Sequence, residues 1–486
     1  MEHFETWNKS YINGEWMEGA GSTTYENKNP YNDAVIAKFR LAASSQLNEA
    51  FETAAIAQKQ WKTSNVEDRK AVISKAAEYL KSNHDEIVKT IVNESGGTVL
   101  KANVEMHLTI EVLEEAINYA EEIQHVKEVP STIAGKINRI YRQPLGVISS
   151  ISPFNFPMNL SMRTIAPAIA LGNSVVHKPD IQVGLTGGVV LAKAFEYAGL
   201  PKGVFNMVLT DIPEIGDGMI TNNYAELISF TGSTAVGRHI GEIAGKNLKR
   251  TALELGGNSP FVVLSDADVN QAVNAAVFGK FIHQGQICMI INRIIIHQDK
   301  YDQFVEKFYE KVKALPCGDP NQPDTVIGPL INREQMNKCL SFIEEAKAEG
   351  AVPLLEGKKE GNVLTPSIFT DVNNDSRTTQ SELFGPIALI IKAETDEEAV
   401  QLANRTDCGL SSAIFTRDIK KGESYALELE AGMTHINDQT VNDAPNIPFG
   451  GNKASGLGRF GNPWVVEEFT TPKWVSVQMK ERTFAF

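Results

Sequence analysis

In the stretch FIHQGQICMIINRIIIH, a single cysteine, Cys288, stands between a glutamine-glycine turn and a run of isoleucines. The thiolate of such a residue is a strong nucleophile. Only about a few per cent of an ordinary thiol ionises near neutral pH, so attack needs a helix N-terminus, a cation or a base beside it. Inert burial is the competing reading, because a free cysteine also packs well in a core. Glu254, in TALELGGNSP, lies between Leu253 and Leu255 and ahead of two glycines. Those neighbours predict a partly desolvated carboxylate with its pKa raised toward that of a general base. A strand-end salt bridge is the alternative. Asn155, in SPFNFPMN, is framed by Pro153 and Pro157, which hold the loop extended. Its amide either donates to a developing oxyanion or bonds its own backbone, as loop asparagines do.

A fourth segment, SFTGSTAVGRHI, reads as a strand, the turn Gly232 to Gly237, and a helix. Glycine lets the backbone approach a ligand, Ser233 or Thr234 can cap the helix, and a helix N-terminus attracts phosphate. Arg238 and His239 stand where a Walker motif needs Lys and Ser or Thr. The standard dinucleotide fingerprint is absent too, and Gly216-Asp217-Gly218 reads as a turn. No Gly-x-Ser-x-Gly elbow or His-Glu-x-x-His helix occurs, and the 9 histidines do not cluster at metal spacing, so no metal site is expected.

These residues need elements to position them. YINGEW and AVIAKFR read as strands, and from Gln46 to Glu122 the apolar spacing is helical. After Gly135, short apolar runs alternate with helices (GVISSISP, APAIALGN, SVVHKP, TGGVVLAKAFEYAGLP, GVFNMVL, AELISFTG), which predicts a parallel, doubly wound α/β sheet. A second α/β block runs from SPFVVLSDAD to FGPIALIIKA. Next comes a Gly-rich segment, IPFGGNKASGLGRFG, and the strand candidate KWVSVQM.

A chain of 486 residues exceeds what one core usually serves, so two or three closely packed domains are expected. The 4 cysteines, Cys288, Cys317, Cys339 and Cys408, form no Cys-x-x-Cys pair and fit a reducing cytosol. A net charge of -14 argues against wide contact with nucleic acid. The N-terminus lacks the basic region of a secretory peptide, and apolar runs stop well short of the roughly 20 residues that span a bilayer. A cytoplasmic protein is the expectation.

Taken together, the segments resemble the NAD(P)-dependent aldehyde dehydrogenase superfamily over essentially the whole chain. In order they are YINGEW, the loop at Asn155, GNSVVHKP at Lys178, FTGSTAVG at Gly232, LELGGNSP at Glu254, GQIC at Cys288, ELFGP at Glu382 and PFGGNKASGLGR at Phe449. The resemblance implies a Rossmann-type dinucleotide-binding domain (1–123 and 143–256), a second α/β catalytic domain (257–455) and oligomerisation strands (124–142 and 470–486) pairing a homodimer or homotetramer. It further implies that Cys288 attacks the aldehyde, Asn155 and the Cys288 N–H hold the oxyanion, and Glu254 activates the water that hydrolyses a thioester. Cofactor contacts carried over with it are Lys178, Gly232, Ser233, Gly237, Glu382 and Phe384. NAD is the expected cofactor. Because Lys178-Pro179-Asp180 is followed by Ile181 where NAD-preferring members carry Glu, NADP is admitted as well.

KFIHQGQICMIINR and HINDQTVNDAPNIPFGG resemble the branch acting on aromatic aldehydes of the benzaldehyde and vanillin type, with Phe154, Phe156, Ile287, Met289 and Phe449 as an apolar slot. Aliphatic or semialdehyde oxidation, acyl transfer to coenzyme A, thiol esterase action and a non-enzymatic relative of the fold are the alternatives. Family members that use coenzyme A often lack the acid matched by Glu254.

Overall fold

The structure, a computed structural model, describes residues 3–486. Met1 and Glu2, with which the first expected domain segment begins, lie outside the described residues. Four helices fill the stretch where the apolar spacing is helical: Ser44–Trp61, Val66–Ser82, His84–Ser95 and Val99–Glu122. Local chemistry starts two of them. The Asn65 side chain accepts from Glu67 N, and the Thr98 hydroxyl accepts from Lys101 N.

The alternating segments build two sheets. In the first, the strands Phe205–Met207, Ser174–Lys178, Val147–Ile151, Ala225–Thr231 and Arg250–Glu254 lie side by side in that order and all parallel. The hairpin Ser10–Ile12 and Glu15–Met17 closes one edge, and the short Gly456–Leu457 strand closes the other, antiparallel. Ser174–Lys178 is buried along its whole length, as a parallel strand covered on both faces must be. Chain order reverses direction across the sheet between Val147–Ile151 and Ala225–Thr231. A crevice opens at such a switch point, beyond the C-terminal ends of the strands.

The second sheet runs Val352–Leu355, Ser367–Thr370, Ile387–Ala393, Ile291–His297, Ser259–Val263, Ser411–Phe415 and Met433–Ile436. It is parallel except for its first pair. Only four residues, Leu255–Asn258, separate its strand Ser259–Val263 from the end of Arg250–Glu254, so the sheets meet near Glu254. A third sheet joins Lys127–Pro130, Lys136–Pro144 and Thr470–Gln478, antiparallel. Among the described residues, no helix is long and apolar enough to cross a membrane.

Candidate active site

Three strand ends and one turn deliver the side chains singled out above. Val147–Ile151 runs into the Asn155 loop, Ala225–Thr231 into Gly232-Ser233, and Arg250–Glu254 ends on Glu254 itself. Cys288 comes from the other lobe, between the helix Val269–Phe281 and the strand Ile291–His297.

The turn before Cys288 is pinned rather than flexible. His283, Gln284 and Gly285 all adopt left-handed φ angles, 51°, 57° and 77°. For the two non-glycine residues this is a strained conformation that the surroundings must enforce. Gln284 Nε2 donates to the Gly96 and Pro329 carbonyls, both at 2.9 Å, and Ile331 N donates to Gln286 Oε1 at 3.0 Å. A Cβ at Gly285 would sit 2.3 Å from the Gly385 carbonyl oxygen, so only glycine fits there. The Asn155 amide does not bond its own backbone. It donates to the Gln286 carbonyl at 3.0 Å, which ties the two loops together and leaves its second N–H for another acceptor.

Two cavities meet at this junction. One, of about 280 Å³, is lined by Phe156, Ile287, Met289 and Phe449. The other, of about 390 Å³, is lined by Lys178, Gly232, Ser233, Glu254, Glu382 and Phe384. Asn155 and Cys288 form part of both walls.

Two expected positions need correction. Phe154 borders the larger cavity, with its ring edge-on to Phe384 at 5.9 Å, and not the apolar slot. Residues 154–156 bend where an extended loop was expected, so Phe154 and Phe156 do not share one side as an extended chain would place them. Gly237 lies inside the helix Thr234–Lys246, away from the cavity lining. A Cβ there would come within 2.2 Å of a Leu255 methyl, so this glycine lets the helix pack closely on its strand.

The electrostatics differ from group to group. Glu254 is buried, and neither carboxylate oxygen has a hydrogen-bond partner among the described residues. Burial pushes its pKa up to about 8, against the pull of Arg163 and Arg459. Part of Cys288 opens onto the cavities, yet the surrounding protein pushes the thiol up to about 12, with Glu382 and Glu254 adding to the rise. In the free protein, therefore, it stands as a thiol and must lose its proton as it attacks. Burial raises Glu382 to about 7 and lowers Lys178.

The larger cavity suits a dinucleotide. Lys178 is buried and, among the described residues, makes only a long 3.5 Å contact, to the Pro179 carbonyl, so its ammonium is available to a polar ligand. The N-terminus of Thr234–Lys246, capped by Ser233, meets the same space and favours phosphate. Glu382 accepts one bond, from Gly257 N at 3.1 Å, which leaves acceptor capacity for ribose hydroxyls. Phe384, strained at φ 51°, stands across from Phe154.

Several residues in the smaller cavity were not anticipated. Arg163 pairs with Asp443 and stacks 3.9 Å over the Phe449 ring, while Asn159 Nδ2 donates to Asp443 at 3.4 Å. The available signal was Arg163 itself, the only charged residue in the helix PMNLSMRTIAPAIA.

Comparison with known proteins agrees with this geometry. The family described as "Aldehyde dehydrogenase family" matches residues 16–475. The protein AldY of Bacillus subtilis (strain 168), whose name specifies no substrate, is 63% identical over 99% of this chain and 100% of its own. The benzaldehyde dehydrogenase YfmT of the same strain is 46% identical over 100% of both chains. Among solved structures, an NAD-dependent benzaldehyde dehydrogenase from Corynebacterium glutamicum superimposes with a TM-score of 0.90 at 43% identity, covering 99% of this chain and 98% of that one. On sequence and fold together, the chain belongs to the aldehyde dehydrogenase family.

Proposed function

We propose that this protein oxidises an aromatic aldehyde of the benzaldehyde or vanillin type to the carboxylic acid, with NAD as acceptor. The observation that carries the reading is the junction of an apolar cavity and a larger one lined by Lys178, Ser233 and Glu382 at one thiol and one amide. The benzaldehyde dehydrogenases among its relatives support the aromatic class, as does a slot walled by Phe156 and Phe449 that suits a flat ring.

In this mechanism, Cys288 Sγ bonds to the aldehyde carbon as Glu254 takes up the thiol proton. The second N–H of Asn155 and the Cys288 backbone N–H hold the resulting oxyanion. Lys178, Ser233 and the helix end behind it, and Glu382 would hold the dinucleotide, which when bound supplies a hydride acceptor. Glu254 gives the thiol proton up to solvent, then removes one from water as that water attacks the thioester left once the hydride has gone, and passes it to the departing sulfur, which releases the acid and restores the thiol. A free carboxylate beside Cys288 favours hydrolysis over transfer to coenzyme A.

The sheet of Lys127–Pro130, Lys136–Pro144 and Thr470–Gln478 supports a role for segments 124–142 and 470–486 in pairing subunits of a dimer or tetramer, since exposed strand edges invite a partner. Under this reading, 1–123 with 143–256 binds the dinucleotide, 257–455 carries the nucleophile, and the enzyme works in the cytoplasm on a small aldehyde. Initial rates for a panel of aromatic and aliphatic aldehydes with NAD and NADP test it. Benzaldehyde or vanillin is expected to give the highest kcat/KM, and a preference for short aliphatic aldehydes would overturn the assignment.

A further inference from the structure

The helix Pro157–Ala170 begins immediately after the Asn155 loop and carries Asn159 and Arg163 into the smaller cavity. Its N-cap residue is Phe156, which has no side-chain acceptor to offer. The free N–H groups of the first turn are met from another helix. Glu105, in Val99–Glu122, accepts from Met158 N at 2.7 Å and from Asn159 N at 3.3 Å through Oε1. Its other oxygen, Oε2, pairs with Lys101 one turn earlier, and both side chains are wholly buried.

The pair reaches further than the cap. Lys101 Nζ lies 4.5 Å from the centre of the Phe156 ring, and that ring meets His283 edge-to-face at 5.7 Å. Phe156 adjoins Asn155 in sequence, and His283 belongs to the strained turn before Cys288. One column of contacts thus runs from Lys101 through Phe156 to the nucleophile's turn. A second tie, Asn155 to the Gln286 carbonyl, lies beside it. Stability alone gives little reason for the pair, since replacing a buried ion pair by apolar residues of similar size is often neutral or stabilising. A carboxylate at a helix N-terminus, by contrast, fixes where the helix begins.

We infer that Glu105, held by Lys101, is a positioning residue that caps the Pro157–Ala170 helix from a neighbouring helix and thereby sets the Asn155 amide against Cys288. The inference rests on the roles proposed above for Asn155 and Cys288. Two double variants test it. Lys101→Met with Glu105→Leu removes both charges and the acceptor, whereas Lys101→Met with Glu105→Gln removes the charges and keeps an acceptor oxygen.

Both variants are expected to stay folded by thermal melting. In the leucine variant, the rapid burst of NADH formed with benzaldehyde is expected to slow by about 10- to 100-fold, as a displaced oxyanion donor would cause. Its KM for benzaldehyde should change little, and so should alkylation of Cys288 by iodoacetamide, which needs no oxyanion donor. The glutamine variant should restore most of the burst. Hydrogen exchange at Met158 and Asn159 reads the cap without any substrate. It should be faster in the leucine variant than in the glutamine variant, even if benzaldehyde proves to be the wrong aldehyde. Should the leucine variant fail to fold, Glu105→Asp, which withdraws the acceptor by one methylene, takes its place in both measurements. A wild-type burst in the variant lacking the acceptor, an equal loss in both double variants, or equal exchange at Met158 and Asn159 would overturn the inference.

Discussion

The two cavities that share Cys288 treat charge in opposite ways. On the apolar side the buried charges are matched: Arg163 with Asp443, and Lys101 with Glu105 behind the Phe156 wall. On the dinucleotide side they are left open. Among the described residues, Glu254 has no hydrogen-bond partner, Glu382 accepts a single bond and Lys178 has one long contact. An ionisable group without a partner is costly to charge away from water, so a fold that places three along one cavity wall reserves them for a ligand or a proton. The matched charges hold shape instead. The contrast separates residues whose loss should stop chemistry from those whose loss should loosen the scaffold.

The sharpest break comes at the shared wall. Cys288→Ala should reduce both NADH formation from benzaldehyde and p-nitrophenyl acetate hydrolysis by at least about 10⁴-fold, since both need the sulfur. Steady-state rates of the two reactions check this, and undiminished turnover of NAD would refute the covalent mechanism. Glu254→Gln should act on the second half of the reaction, lowering kcat by about 10²- to 10³-fold while an acyl adduct accumulates on Cys288. Mass spectrometry of acid-quenched enzyme detects that adduct.

The pH profile follows from the same residue. Glu254 works as a carboxylate, and burial holds its pKa at about 8, so at neutral pH much of it is protonated. Turnover limited by deacylation should rise with pH through about 8 and then level off. In Glu254→Gln this limb should vanish. A kcat that is flat from pH 6 to 9 in the wild type would remove Glu254 from the base role.

The residues left open to a ligand were the legible ones. Cys288, Glu254 and Asn155 stand in glycine- and proline-marked segments at strand ends, where the chain's punctuation shows in the sequence. The matched charges were not legible, because one pair joins segments that only packing brings together and the other lies on a helix face whose burial only packing creates. Lys101 and Glu105 have the spacing of an ordinary surface pair on a helix, and nothing local says that this face is buried. Asp443 lies 280 residues from Arg163 in sequence. The alternating elements foretold the parallel sheets. Phe154 went astray because its loop bends, and Gly237 because close helix–strand packing and phosphate contact demand the same residue.

Removing one partner of the Arg163–Asp443 pair, and leaving the other uncompensated, should be a stability event before it is a catalytic one. Arg163→Met leaves the Asp443 carboxylate buried without its cation, and should lower unfolding stability by about 3–5 kcal/mol. Adding Asp443→Leu should recover most of that loss. Denaturant midpoints of the single and double variants measure it, and a double variant no better than the single would show that the pair is not the unit of stabilisation.

The smallest expected effect concerns the open side, where the position after Asp180 carries no acid. Asp180 lines the dinucleotide cavity, its Oδ1 accepting from Gln182 N at 2.9 Å, and the next residue is Ile181. Asp180 thus keeps one carboxylate at the cavity, but position 181 adds no second one to repel the 2′-phosphate of NADP. NAD should remain preferred, but by less than about a thousandfold in kcat/KM, or roughly 4 kcal/mol. Ile181→Glu adds a second carboxylate to the segment, and should lower kcat/KM for NADP by about tenfold while changing that for NAD by less than about threefold, as expected for one partly screened charge. Because Ile181 makes no contact with the thiol side in this reading, the change should appear in KM for NADP and leave kcat with NAD unaltered. A loss of kcat with both cofactors would mean that the turn at Ile181 supports the fold of the cavity and does not read the phosphate.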